Sequence, residues 1–69
     1  MTHTIPGRAH TPEQKRAIIE RFYEAWLAVP NWRLPQLIYN ATGGKDIFYV
    51  EDEPFMAEIE QISERWRQP

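Results

Sequence analysis

Three apolar stripes at helical spacing, separated by a proline and by a glycine pair, constrain this chain more than any other feature. In the first, Ile18, Phe22, Ala25 and Val29 recur at i, i+4, i+7 and i+11, and Ile19 and Trp26 widen the stripe. Thr11-Pro12-Glu13-Gln14 opens it as a capping box with proline at the first helical position. Pro30 closes it, because the residue before a proline is pushed out of the helical region. In the second, Leu34, Leu37, Ile38 and Ala41 form one apolar face. Asn31 can cap that helix or Pro35 can mark its first turn, and Gly43 or Gly44 supplies the positive φ that stops it. In the third, Phe55, Ile59, Ile62 and Trp66 follow Asp52, read as the N-cap, with Glu53 and Pro54 in the first turn.

No helix can bury its stripe alone, so the three must pack on one another. The pattern predicts an all-α fold: a small three-helix domain over residues 11–69, with helices at about 12–29, 34–42 and 53–67. Residues 1–10, which mix Thr, Pro, Gly and His without periodicity, are expected to form a disordered, flexible arm. An irregular loop is expected between the second and third helices. Ile47-Phe48-Tyr49-Val50 favours extended backbone by composition, but no second strand exists to satisfy its polar groups. The expectation is a turn pinned into the core by Phe48 and one neighbour. Trp26 and Trp66 stand on helical stripes and are expected in the core. Trp32, at a helix entrance, is expected to be the most exposed tryptophan.

Size and charge narrow the functional classes. A chain of 69 residues is one domain, and a domain this small buries only about 60% of its unfolded surface. Small domains often add disulfides or thiolate-bound metals, but there are no cysteines here. Residues 1–44 hold five Lys/Arg and three Glu, a balance of +2; residues 45–69 hold three Lys/Arg and seven Asp/Glu, a balance of −4. The acidic half weakens the case for nucleic-acid binding by counterion release. No apolar run approaches the ~18 residues that span a bilayer, and no signal-peptide core precedes the first helix, so a soluble cytoplasmic protein is expected.

The candidate chemical groups are sparse. His3 and His10 sit on the arm without other ligands nearby, so no metal site is expected. Glu51-Asp52-Glu53 with Asp46 could be a carboxylate or hard-cation cluster, but the calcium-loop spacing is missing and helix capping accounts for the triplet. Ser63 is the only serine and cysteine is absent, so nucleophilic catalysis lacks its parts. Gly43-Gly44 is a helix stop and not a phosphate-binding loop. No enzyme activity and no cofactor are expected.

Surface recognition has better candidates. Arg33, Gln36 and Asn40 form a polar stripe on the second helix, with Tyr39, Tyr49 and Glu51 nearby in sequence. They read either as a recognition surface or as local structure, with Arg33 paired to an acid of the 46–53 loop and Gln36 or Asn40 satisfying its own backbone. Tyr23 and Leu27 fall outside the first helix's main stripe. Either the loop crosses that side, or the pair is exposed and, beside Trp32, anchors an interface.

The central run resembles a family of small uncharacterised helical proteins encoded by bacteria and phages. Their motif is Leu-Arg-x-x-Gln-Leu-Ile-x-Asn-Ala followed by Asp-x-Phe-Tyr-x-Glu-Asp. Here the elements read Trp32-Arg33-Leu34-Pro35-Gln36-Leu37-Ile38-Tyr39-Asn40-Ala41 and Asp46-Ile47-Phe48-Tyr49-Val50-Glu51-Asp52. Trp32 stands where an aliphatic residue is expected, and Pro35 where a small one is. The resemblance covers about a third of the chain and implies a small helical bacterial or phage protein, without an assigned activity.

The reading that follows is a non-catalytic interaction module that binds a partner protein or a second copy of itself. The alternatives are a nucleic-acid-associated protein, using Arg8, Lys15, Arg16 and Arg21, or an acidic nucleic-acid mimic acting as an inhibitor. The first of these is disfavoured because the connection from Ala41 to Asp52 far exceeds a helix-turn-helix turn.

Overall fold

The computed structural model describes residues 5–69, which form α1 (Pro12–Ala28), α2 (Leu34–Thr42) and α3 (Asp52–Arg65), with no strand among the described residues. The all-α three-helix architecture is as the periodicity predicts. α3 is the central element and packs against both α1 and α2. Ala25, Val29, Leu37, Met56 and Ile59 form the buried centre, and Phe22 stacks on Phe55 with ring centroids 6.4 Å apart.

α1 begins where its capping box places it. Thr11 Oγ1 accepts from Gln14 N–H at 3.0 Å, and Gln14 Oε1 accepts from Thr11 N–H at 3.1 Å. Thr11→Ala removes one half of this exchange and should lower stability by about 1 kcal/mol. A thermal melt followed by circular dichroism should therefore drop by about 4–8 °C. An unchanged melt would mean that this box contributes nothing to the fold. α2 starts at Leu34 with Pro35 in its first turn, the second of the two sequence alternatives. Its N-cap is Arg33, not Asn31, and Gln36 Oε1 accepts from the Arg33 N–H at 3.3 Å. It ends at Gly43, whose φ of +68° lets its N–H reach Tyr39 O at 2.8 Å.

The N-terminal segment corrects an expectation. Residues 5–10 are not a free arm, while His3 lies outside the described residues. Glu53 N–H donates to Gly7 O at 2.8 Å, so the segment's backbone satisfies one of the open N–H groups of α3. Ala9 N–H donates to Asp52 Oδ2 at 2.8 Å. Asp52 is thus the first residue of α3 and not its cap; the cap is Glu51, which makes no side-chain cap bond. The Glu51 carboxylate instead takes a bidentate bond from Arg8, with Nε to Oε2 at 2.8 Å. His10 is part of this structure too, since its Nε2 accepts from Ile5 N–H at 3.0 Å.

These ion pairs make stability acid-sensitive. The hydrogen bond from Arg8 holds the Glu51 carboxyl below its ordinary range, and Arg21 does the same to Glu60. A carboxylate with a depressed folded pKa contributes stability that is fully present above its unfolded value of about 4.3. That contribution disappears as pH falls through the folded value. The melting temperature should therefore fall as pH drops below about 4.5, and less steeply in Arg8→Ala, whose N-terminal segment should also exchange its amides faster. Parallel pH profiles for the two proteins would refute the assignment.

Phe48 and Trp66, both expected in the core, lie outside it. Phe48 is 79% exposed and Tyr49 87%, their rings packed edge-on at 4.8 Å. The 43–51 connection makes a turn in which Val50 N–H donates to Ile47 O and Phe48 N–H to Asp46 Oδ1, both at 3.0 Å. Ile47 and Val50 are the two ends of this turn, and Phe48 and Tyr49 are its middle residues. Ile47 and Val50 are the half-buried pins, and Phe48 and Tyr49 form the tip. Trp66 is the C-cap of α3, past its regular turns, and is exposed. Trp66 N–H still bonds Ile62 O at 3.1 Å; beyond it the chain leaves the helix, and Gln68 N–H reaches Ala28 O at 2.9 Å. Trp32 is the reverse case. It packs half-buried against the core, and its carbonyl accepts from Trp26 Nε1 at 2.6 Å.

Candidate protein-docking surface

The face of α1 turned away from the core carries an unburied apolar row. Ile19, Tyr23 and Leu27 stand at i, i+4 and i+8 and are 67%, 57% and 54% exposed. At 1.5 Å per residue the row runs about 12 Å. Tyr23 and Leu27 form a ridge between two hollows. On one side lies a groove of about 880 Å³ between α1 and α3, which Ala25, Ala28 and Ser63 also line. On the other lies a smaller hollow of about 260 Å³, completed by Trp26 and Pro30. Ser63 is buried in the α1–α3 groove and donates its hydroxyl to Glu60 O at 3.1 Å.

The groove walls are charged, and most of the charge is spent internally. Arg21 joins α1 to α3 by bonding Glu60 through Nη2–Oε1 at 2.6 Å and Nε–Oε2 at 3.0 Å, and Glu53 through Nη1 at 2.9 Å. The Glu60 and Glu53 bonds push the Arg21 guanidinium further above its already high range, so it is a fixed cation at any working pH. Arg67 bonds Glu64 at 2.8 Å. On α1, by contrast, Glu13, Glu20 and Glu24 take part in none of the ion pairs among the described residues.

The other sequence candidates are dispersed. Arg33, Gln36 and Asn40 are all exposed on α2, on a face separate from the α1 row. Gln36 serves its own helix start, and Arg33 has no acid partner among the described ion pairs, so the expected link to the 46–53 loop is not made. Glu51 is held by Arg8 and is not a free contact group. Tyr49 is exposed at the turn tip, away from α1 in sequence and packed on Phe48. Trp32 is absent from the α1 ridge because it packs inward. Tyr23 and Leu27 take the exposed branch of the two sequence alternatives. Ile19, expected to widen the buried stripe, belongs to the same exposed row. The signal for it was its wheel position, about 100° from Ile18, beyond the arc that one neighbouring helix covers.

A second, less continuous apolar area borders α2. Leu34, Pro35, Ile38 and Tyr39 with Ile47 line a groove of about 400 Å³. Tyr39 lies over Gly44, where a Cβ would stand 2.8 Å from its ring. No helix of the described residues is long and apolar enough to cross a membrane. In comparisons with known proteins, no family model matches this chain, and no curated protein and no solved structure matches it.

Proposed function

We propose that this protein is a small, non-catalytic, cytoplasmic interaction module of the bacterial and phage type its motif resembles, acting by docking on a partner protein through the outer face of α1. The observation that carries this reading is the Ile19–Tyr23–Leu27 row, three large apolar side chains more than half exposed and aligned on a regular helix, with Tyr23 and Leu27 standing between two hollows. Contiguous exposed apolar residues rimmed by charge are the ordinary signature of a protein interface. Tyr is among the side chains that most often anchor one. The nucleic-acid alternative loses ground on its own residues. Arg8 and Arg21, two of its four cations, are neutralised by Glu51 and by Glu53 and Glu60.

The test is capture of interacting proteins by the intact chain and by a Tyr23→Ala/Leu27→Ala variant, with sedimentation of both to detect self-association. A partner or a dimer retained by the intact protein and lost by the variant supports the reading. A strict monomer with no retained partner, or equal retention by both proteins, would overturn it.

A further inference from the structure

We propose that the partner segment seated on α1 is a basic amphipathic helix of another protein, an inference that rests on the docking reading above and names the chemistry of its occupant. The apolar row is bordered along one flank by Glu13, Glu20 and Glu24, at i, i+7 and i+11 on α1. At about 100° per residue these three cluster beside Leu27 and on the groove side of the row, and they run about 16 Å along the axis. Four cations of the described residues are engaged elsewhere. Arg8 takes Glu51, Arg21 takes Glu53 and Glu60, Lys45 takes Glu58, and Arg67 takes Glu64. Arg16, beside Tyr23 and Leu27, and Lys15, on the Ile19 flank, are the cations of the outer face, and neither is in an ion pair among the described residues. Three carboxylates against Arg16 and Lys15 leave this face at −1, with the acids gathered along one border and Lys15 on the opposite flank.

An apolar row with an acidic border matches a helix whose apolar stripe has Lys or Arg along one edge. Apolar anchors then carry the affinity, while the charges set orientation, encounter rate and the rejection of acidic sequences. A second copy of this chain is the poorer occupant. An antiparallel two-fold pairing of the row with itself sets the Glu20–Glu24 border against its own mate, and like charges across a helix pair repel. A parallel pairing sets that border against the Ile19 and Trp26 flank, where Lys15 is the one cation.

The experiment is selection from a displayed library of helical peptides with randomised outward positions, using the intact chain as bait. Each enriched peptide is located by amide shift mapping. The expected result is enrichment of peptides with an apolar i, i+4, i+7 stripe and several Lys or Arg along one edge, mapping to α1. Their affinity should fall with added salt, and by about tenfold or more in Glu20→Lys/Glu24→Lys, with the folded spectrum unchanged. Neutral or acidic peptides enriched on the same face would overturn the basic-helix assignment and leave the docking reading standing. Peptides that map only to the α2 groove, or no enrichment at all, would overturn both. Concentration-dependent dimerisation lost in Tyr23→Ala/Leu27→Ala would replace the basic helix by a second copy.

Discussion

Leu37→Ala will lower the stability of this protein by about 3 kcal/mol and leave a large part of it unfolded at room temperature. Leu37 is fully buried, on a helix of nine residues. Helices shorter than about 12–15 residues are marginal on their own, so α2 persists only through its packing on α3. Removing the side chain withdraws its transfer energy and leaves a cavity that Met56 and Ile59, in the same cluster, fill incompletely. A domain of this size commonly has a net stability of only about 3–5 kcal/mol, so one such loss consumes most of it. Urea denaturation followed by tryptophan fluorescence reads this directly, because Trp32 packs at the entrance to α2. Leu34→Ala on the same helix is the control, since Leu34 is exposed and its truncation should change stability by less than about 1 kcal/mol. If both variants unfold at the same urea concentration, α2 is not docked as described.

Tyr23→Ala/Leu27→Ala will abolish partner retention while leaving the melt nearly in place. Both side chains are more than half exposed, and each surface change is worth within about 0.5 kcal/mol. Alanine is also the best helix former, which offsets part of the lost contact. At an interface the same two truncations remove anchors that cost about 2 kcal/mol or more each. The combined loss corresponds to a hundredfold or greater drop in affinity. The contrast between two measurements is the diagnostic. A variant that binds weakly and also melts more than about 8 °C lower would show that Tyr23 and Leu27 support the core and do not face a partner.

Much of the fold is legible in the chain because helix limits are set locally. The Thr11 capping box, Pro30 and Gly43 act within one or two turns of backbone, and α1 and α2 begin and end within a residue of where those signals put them. Signals with two local readings were less decisive. The Glu51-Asp52-Glu53 triplet reads as a helix start, but which residue caps it depended on Gly7 and Ala9 arriving from more than forty positions away. The same long-range contact turned Glu51 from a candidate contact group into the partner of Arg8. Phe48 shows a different limit. Hydrophobicity places it inside, but it is a middle residue of its turn, whose ends Ile47 and Val50 are the half-buried pins. For Tyr23 and Leu27 the wheel placed both outside the main stripe, and they are a surface because none of the described residues forms an element crossing that side.

The sequence by itself therefore determined that there are three helices and, closely, where they lie, because caps, breakers and periodicity operate over short stretches of backbone. Only the tertiary structure decided how wide an arc of each helix is buried, because that depends on how many neighbours the helix has. α3 sits against two helices, so Met56 and Ser63 join Ile59 in its buried arc. α1 is covered chiefly by α3, so its buried arc stops short of Ile19. The apolar row left beyond that arc is the surface from which a binding function is inferred.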